Sequence, residues 1–417
     1  MTKYNTHILP NSLKVIHLPK PGDIVYCGYA IAAGSRNEAI GEEGLAHFCE
    51  HMTFKGTSRR SSIQVINALE GVGGELNAFT GKEETVYYAA LLKEHFNKAV
   101  DVLTDIVFHS TYPQNEIEKE KEVVCDEIEC YRDSPSELIY DEFENELFHG
   151  NPIGHNVLGT KKRVRSFTTA DCQRFTSRWY TPNRTVFYVI GDVNFPKLIS
   201  RLERLMGGIT AIPEADASGT MAGMDASASI APTAGTVRTI NEYDTHQSHI
   251  MLGTAFQSDL SRWRIPLFLT NNILGGPSMN SRFNIALREK RGLVYSVDSL
   301  MTTYTDTIMW SVYLGCDHKD ANRCIRLIKS QLNRLRRRPL SLSALQAAKT
   351  QIKGQLALAS TNMENYGIDM AKQYLHRGTL KDTDLLFQRL DAVTSEDIHA
   401  LMNEVLLEEN LFTLILR

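Results

Sequence analysis

Two histidines four residues apart, with a glutamate beside the second, are the most reactive grouping in this 417-residue chain: His47-Phe48-Cys49-Glu50-His51. On a helix, positions i and i+4 share a face one turn apart, so His47 and His51 project together. That is the spacing with which two imidazoles bind one tetrahedral zinc ion. Glu50, three residues after His47, lies on the same edge, within reach of a metal-bound water without being a ligand. Leu45, Ala46, Phe48 and Met52 suit a buried helix, and nothing from Leu45 to Phe54 interrupts one. A chance His-x-x-x-His on an amphipathic helix is the bland reading. Three metal-competent groups in five residues of an apolar segment weigh against it, because burying two imidazoles and a carboxylate without a cation is costly. Cys49 points away from both histidines and reads as packing.

Two histidines leave a catalytic zinc one protein ligand short. The acidic segment opening near Asn115, NEIEKEKEVVCDEIECYRD, offers Glu116, Glu118, Glu120, Glu122, Asp126, Glu127 and Glu129. Helical geometry alone does not choose among them, and a solvated acidic face is the ordinary reading of such a run. Glu120 and Glu127 are seven apart and so share a face. Val123 and Val124 are expected on that general side, and carboxylates beside buried valines are the better candidates.

The elements that must position these residues follow from pattern. HILP, LKVIHL and IVYCGYAIAAG read as short strands separated by turns, and Glu75–Thr80 and Thr85–Leu92 as two strands joined at Gly81. Ser61–Glu70 reads as a short helix. Glu94–Ser110 is amphipathic, with apolar residues at Phe96, Val100, Leu103, Ile106 and Val107. Residues 207–236 turn small and polar, rich in Ala, Ser and Gly, as a linker does. The two halves end alike: Thr168 to Asp192 and Val393 to Leu416 each give a hydroxyl residue, an acid, a helix, a polar turn and a strand. Asp171 and Asp397 align, a hint of duplication. The expected organisation is a domain at 1–206 with the metal helix, a linker at 207–236, and a homologous domain at 237–417 without His-x-x-Glu-His.

Composition excludes several classes. The chain is 42% hydrophobic and 23% charged, an ordinary globular balance. A net charge of −4 points to neither nucleic acid nor an acidic membrane surface. The basic run Arg334 to Arg338 reads as a solvated helix C-terminus. Seven scattered cysteines without a CxxC pair fit reduced thiols in a cytoplasm better than a disulfide framework. No apolar run approaches a membrane span. Gly275-Gly276-Pro277-Ser278-Met279 is not a phosphate loop, because no Gly-Lys-Ser/Thr follows.

His-x-x-Glu-His within GLAHFCEHMTFKGT inverts the His-Glu-x-x-His order of other zinc peptidases. With EKEVVCDEIE and LREKRGLVYSV it resembles the pitrilysin family of zinc metallopeptidases, which includes insulin-degrading enzyme and the mitochondrial processing peptidases. The resemblance covers essentially the whole chain. It implies an α+β fold of two homologous α/β-sandwich domains, each a mostly antiparallel sheet covered by helices. It places the third zinc ligand on Glu127, a supporting carboxylate on Glu120, and the general base on Glu50. Arg288 and Tyr295 match the family's Arg/Tyr segment, which grips substrate and transition state, and Asn77 and Ala78 match an NA pair on the edge where peptide pairs as an extended strand, next to Phe79. The implied activity is a one-zinc endopeptidase for unfolded peptides, acting in an enclosed chamber. The implied assembly is a homodimer whose copies exchange Arg288 and Tyr295, or a heterodimer with a paralogue. The rival is a non-catalytic partner subunit; such relatives usually lose a ligand or the base, and this chain keeps all four.

Overall fold

The computed structural model describes residues 4–211, 236–240, 243 and 245–417. The expected linker, apart from its ends, lies outside the described residues. Six strands, β1 (Asn5–Ile8), β2 (Lys14–Pro19), β3 (Ile24–Ile31), β4 (Glu75–Thr80), β5 (Thr85–Leu92) and β6 (Thr185–Gly191), form a first sheet in the order β1-β2-β6-β3-β5-β4. Every pairing is antiparallel except β2 with β6. The inner strands are apolar at nearly every position because both faces are covered. Val25, Cys27, Tyr29, Ile31, Phe187 and Val189 face one core, which includes helices α1 (Leu45–Thr53), α2 (Ser62–Glu70) and α3 (Phe96–His109). The alternate residues Ala30, Val186, Tyr188 and Ile190 face a second core. A period of two sorts side chains between the faces.

The second sheet repeats this plan. Strands β7 (Val237–Ile240), β8 (Ser248–Phe256), β9 (Val294–Thr303), β10 (Ile308–Cys316) and β11 (Phe412–Leu416) take the order β7-β11-β8-β10-β9. The parallel pair β7–β11 stands where β2–β6 stands in the first sheet. After β5 comes a 3₁₀ turn and the helix Phe96–His109; after β10 comes a 3₁₀ turn and the helix Ala321–Arg337. The helices before β6 and β11 open on the same reciprocal cap, Thr168 with Asp171 and Thr394 with Asp397. Two α+β units of one topology are present, as the resemblance implies.

Each unit also takes one helix from the other half of the chain. Pro135–Leu147 buries Leu138, Ile139, Phe143 and Leu147 with Met251, Phe412 and Leu414 of the second sheet. Met363–Arg377 buries Tyr366, Met370 and Ala371 with Ile16, Val186 and Tyr188 of the first. The first compact unit therefore runs through Glu129, resumes at His155 and takes in Ala359–Asp382. The second holds Cys130–Gly154, the stretch ending at Leu358, and Thr383–Arg417. A contiguous division of the chain does not express this exchange. Among the described residues no helix is long and apolar enough to cross a membrane.

Candidate metal centre

Helix α1 begins at Gly44, whose φ of +96° is the left-handed region that favours glycine. A Cβ there would sit 2.6 Å from the Leu158 carbonyl oxygen, so the helix start and the Leu158–Gly159 backbone touch without side chains between them. Leu45, Ala46, Phe48, Cys49 and Met52 are fully buried, and Cys49 Sγ packs against the Cys172 carbonyl oxygen. This apolar envelope holds His47 and His51 with ring centroids 4.6 Å apart. His47 is buried, and its Nδ1 has no hydrogen-bond partner among the described residues.

The acidic helix α4 (Gln114–Arg132) supplies the facing carboxylates. Glu127 Oε1 lies 3.8 Å from His47 Nε2, and Oε2 lies 3.5 Å from His51 Nε2. One donor atom from each of His47, His51 and Glu127 lies within 4.8 Å of the others. Glu120, buried two turns earlier on the same face, accepts a 3.0 Å hydrogen bond from His51 Nδ1 and pairs at 2.6 Å with Lys55. That bond puts the proton on Nδ1 and turns the Nε2 lone pair toward Glu127. Four of the other carboxylates pair elsewhere, Glu116 with Lys119, Glu118 with Lys121, Glu122 with Arg165 and Glu129 with Lys161, and Asp126 is exposed. One expectation is corrected. Val124 is buried, but Val123 is half exposed, because the buried stripe of this helix runs through Ile117, Glu120, Lys121, Val124, Cys125 and Ile128, and position 123 falls on its outer side.

Glu50 is buried beside this group, and its Oε2 accepts a 2.8 Å hydrogen bond from Thr80 Oγ1. Burial pushes the Glu50 carboxyl pKa up, against the Thr80 hydrogen bond and the His51 charge that pull it down. Burial, and then the neighbouring His51, depress His47 to about 3. Burial also pulls His51 down, but the Glu120 hydrogen bond and the surrounding carboxylates outweigh it and leave it raised. Glu120 is held below the usual carboxylate range: burial opposes ionisation, and the His51 and Lys55 hydrogen bonds overcome it.

Thr80 ends β4, the edge strand of the first sheet, which pairs only with β5. Leu76 and Ala78 pack toward the helical core, while Phe79 belongs to the opposite face with Tyr88, and Asn77 is exposed. Asn77, Ala78 and Phe79 thus lie along a strand whose outer backbone is unpaired among the described strands and whose end touches Glu50. In the second unit, Arg288 lies in a π-helical turn, Asn284–Glu289, and its guanidinium lies 5.6 Å from the ring centre of Tyr295. Tyr295 is 85% exposed, on edge strand β9. A tyrosine so far into solvent contributes little to its own fold. The Gly275–Pro277 turn closes the helix Leu260–Gly275.

Residues 14–161 match the family model described as Insulinase (Peptidase family M16), and residues 166–352 match that of the Peptidase M16 inactive domain. An uncharacterized zinc protease of Bacillus subtilis is 34% identical over 94% of this chain and 92% of that protein. The chain belongs to peptidase family M16. An uncharacterized zinc protease of Rickettsia bellii is 30% identical over 96% of this chain and 95% of its own length. A protease from Helicobacter pylori has the same fold, with a TM-score of 0.89 over the whole of both chains at 20% identity.

The donor set of this M16 chain suits zinc. Nε2 of His47, Nε2 of His51 and the Glu127 carboxylate converge, and the Glu120 hydrogen bond to Nδ1 leaves Nε2 as the nitrogen of His51 that faces Glu127. Such a mixed nitrogen and oxygen set is what a borderline-soft divalent ion takes. Spacing singles out neither Thr80 nor Lys55, the partners of Glu50 and Glu120. Lys55 carries a faint signal, four residues past His51; Thr80 carries none beyond ending the strand before Gly81.

Proposed function

We propose that this M16 chain is a zinc metalloendopeptidase that cleaves unfolded peptides or oligopeptides. The observation that carries the reading is the convergence of His47, His51 and Glu127 within 4.8 Å, with buried Glu50 beside them. His47, His51 and Glu127 would hold the ion, which when bound supplies Lewis acidity toward water and a peptide carbonyl. Glu50 takes the proton of the attacking water and passes it to the leaving amine. A carboxyl raised by burial both accepts and returns a proton more readily near neutrality than an exposed one. Glu120 fixes the His51 ring. Peptide would pair along β4 as an added strand, where main-chain bonds give affinity with little sequence demand and Asn77, Ala78 and Phe79 flank it.

A homodimer in which each copy lends Arg288 and Tyr295 to its partner's centre completes the reading. The exposure of Tyr295, with Arg288 against its ring, supports it. Tyr295 would donate to the developing oxyanion. The test of the chemistry is Glu50→Gln, which spares every proposed ligand. Metal content should stay at wild type while cleavage of a quenched peptide falls by about 10²–10⁴-fold. Cleavage near the wild-type rate would overturn the assignment of Glu50.

A further inference from the structure

Helix α1 has no capping side chain of its own, since its N-cap is Gly44. A helix start leaves backbone N–H groups unpaired, and buried ones must find acceptors elsewhere. Here a carboxylate from outside the helix supplies them. Glu38 is 1% exposed. Its Oε1 accepts from the Ala46 N–H at 2.7 Å and its Oε2 from the Gly44 N–H at 3.0 Å. The same Oε2 accepts from His155 Nε2 at 2.7 Å. Ala46 immediately precedes His47, so this carboxylate grips the backbone one residue from a proposed ligand.

The connection continues and returns. The His155 carbonyl oxygen accepts from Lys82 Nζ at 2.7 Å, and Lys82 is buried. The carbonyl oxygens of Gly81 and Lys82 accept from the N–H groups of Ser35 and Arg36, at 3.1 and 2.8 Å. Gly81 follows Thr80, whose hydroxyl reaches Glu50. The circuit runs from Glu38 into α1, out through Glu50 to Thr80, along the β4–β5 turn to Lys82, and through His155 back to Glu38. All of it lies within the first unit.

We propose that Glu38, closed by His155 and Lys82, is a positioning clasp: it sets α1, and with it His47 and Glu50, in register with the end of the substrate-edge strand β4. The inference rests on the metallopeptidase reading above for its catalytic consequence, but the clasp itself is a property of the metal-free chain. Glu38 touches neither substrate nor metal and acts through α1. A glutamine cannot replace it. Three donors converge on two carboxylate oxygens, and an amide would turn an NH₂ toward at least one of them.

The experiment compares wild type, Glu38→Gln and Lys82→Met by hydrogen exchange of the metal-free proteins, Co(II) absorption after loading, and the split of kcat from KM. In Glu38→Gln the amides of residues 44–52 should exchange at least about tenfold faster, while those of β5 and β6 hold their rates. The Co(II) bands should shift, and kcat should fall about tenfold or more with KM little changed. Lys82→Met, which keeps Glu38, should show the same pattern at smaller amplitude. Unchanged exchange over residues 44–52 in folded Glu38→Gln would overturn the clasp, as would loss of stability with wild-type Co(II) bands and kcat. Should Glu38→Gln not fold, the Lys82→Met readouts decide in the same way. If wild type itself takes up no Co(II), the metallopeptidase reading fails separately, and the exchange comparison still judges the clasp.

Discussion

The two sheets share an order and a parallel pair, yet they fill the connection between the same two strands differently. Between β3 and β4 the first unit places α1, with His47, Glu50 and His51 on a helix otherwise buried. Between β8 and β9 the second places Leu260–Gly275, where Trp263, Pro266, Leu267 and Leu269 are buried and no histidine occurs. The fold needs only an apolar helix at that station. What the first unit adds is a polar supply line from distant segments: Glu120 and Glu127 from α4, Thr80 from the edge strand, and Glu38 at the helix start. What the second unit offers at its own edge strand is Arg288 and Tyr295, outward rather than inward. Duplication conserves the frame, while chemistry depends on which side chains find partners.

The sharpest test of that contrast is the proposed third ligand. Glu127→Gln should weaken metal binding by more than the about 10–100-fold expected when Glu120→Gln removes only the support behind His51. Glu122→Gln and Glu129→Gln should leave metal affinity near wild type, since their carboxylates pair with Arg165 and Lys161. Titration with a competing chelator ranks all four variants. Equal losses across them, or the largest at Glu122, would break the assignment of α4 as a one-sided donor.

Next is the outward pair of the second unit. Tyr295→Phe should lower kcat by about 10²–10³-fold, the usual cost of one oxyanion donor, without changing metal content or stability. Mixing it with Glu50→Gln, each nearly inactive alone, should restore one working centre per exchanged dimer. No recovery after demonstrated subunit exchange would refute lending between copies.

Much of this was legible in the residues. Strand boundaries at Glu75–Thr80 and Thr85–Leu92, the helix over Leu45–Thr53 and the Thr/Asp caps are local properties, and local pattern reports them. The pairing of His47 with His51 is also local, because helical spacing fixes it. The choice of Glu127 was legible only by family resemblance, since Glu120, Glu122 and Glu129 offer the same chemistry and only tertiary packing tells them apart. The exchanged helices Pro135–Leu147 and Met363–Arg377 left no mark, because an amphipathic helix reads alike whichever sheet it covers. Val123 beside Val124 fails for a related reason: hydrophobicity predicts burial of a stripe, not of each member. Thr80 and Glu38 were invisible because their partners lie thirty residues away in the one case and at backbone N–H groups in the other.

A smaller effect is expected at Thr80, and its signature is a pH shift. In the proposed mechanism Glu50 serves as a base only when ionised, so activity should be lost as pH falls through its pKa. The Thr80 hydrogen bond pulls that pKa down against the burial that raises it. Thr80→Val removes the pull and keeps the shape, so the acid limb of kcat/KM should move to higher pH while the alkaline limb stays. A limb that stays or moves lower would show that the Thr80 hydrogen bond does not tune the base.

The smallest effects test whether the two halves are equivalent where they carry no chemistry. Thr168 Oγ1 accepts from the Asp171 N–H at 3.4 Å, and Thr394 Oγ1 accepts from the Asp397 N–H at 3.1 Å. In return Asp171 and Asp397 accept from the threonine N–H groups at 2.9 and 2.8 Å. Thr168→Ala and Thr394→Ala should therefore each cost about 1 kcal/mol of stability, read from urea midpoints at constant m-value, with metal affinity unchanged in both. The acids should differ. Asp171 also pairs with Arg174 at 2.7 Å, whereas the corresponding position after Asp397 is Ala400. Asp171→Ala should then exceed Asp397→Ala by a few tenths of a kcal/mol, the usual worth of an exposed pair one turn apart, and 1 M salt should erase the excess. Unequal threonine losses would mean that the two copies no longer bear load alike, and that the divergence of the second unit reaches beyond the helix that lacks the histidines.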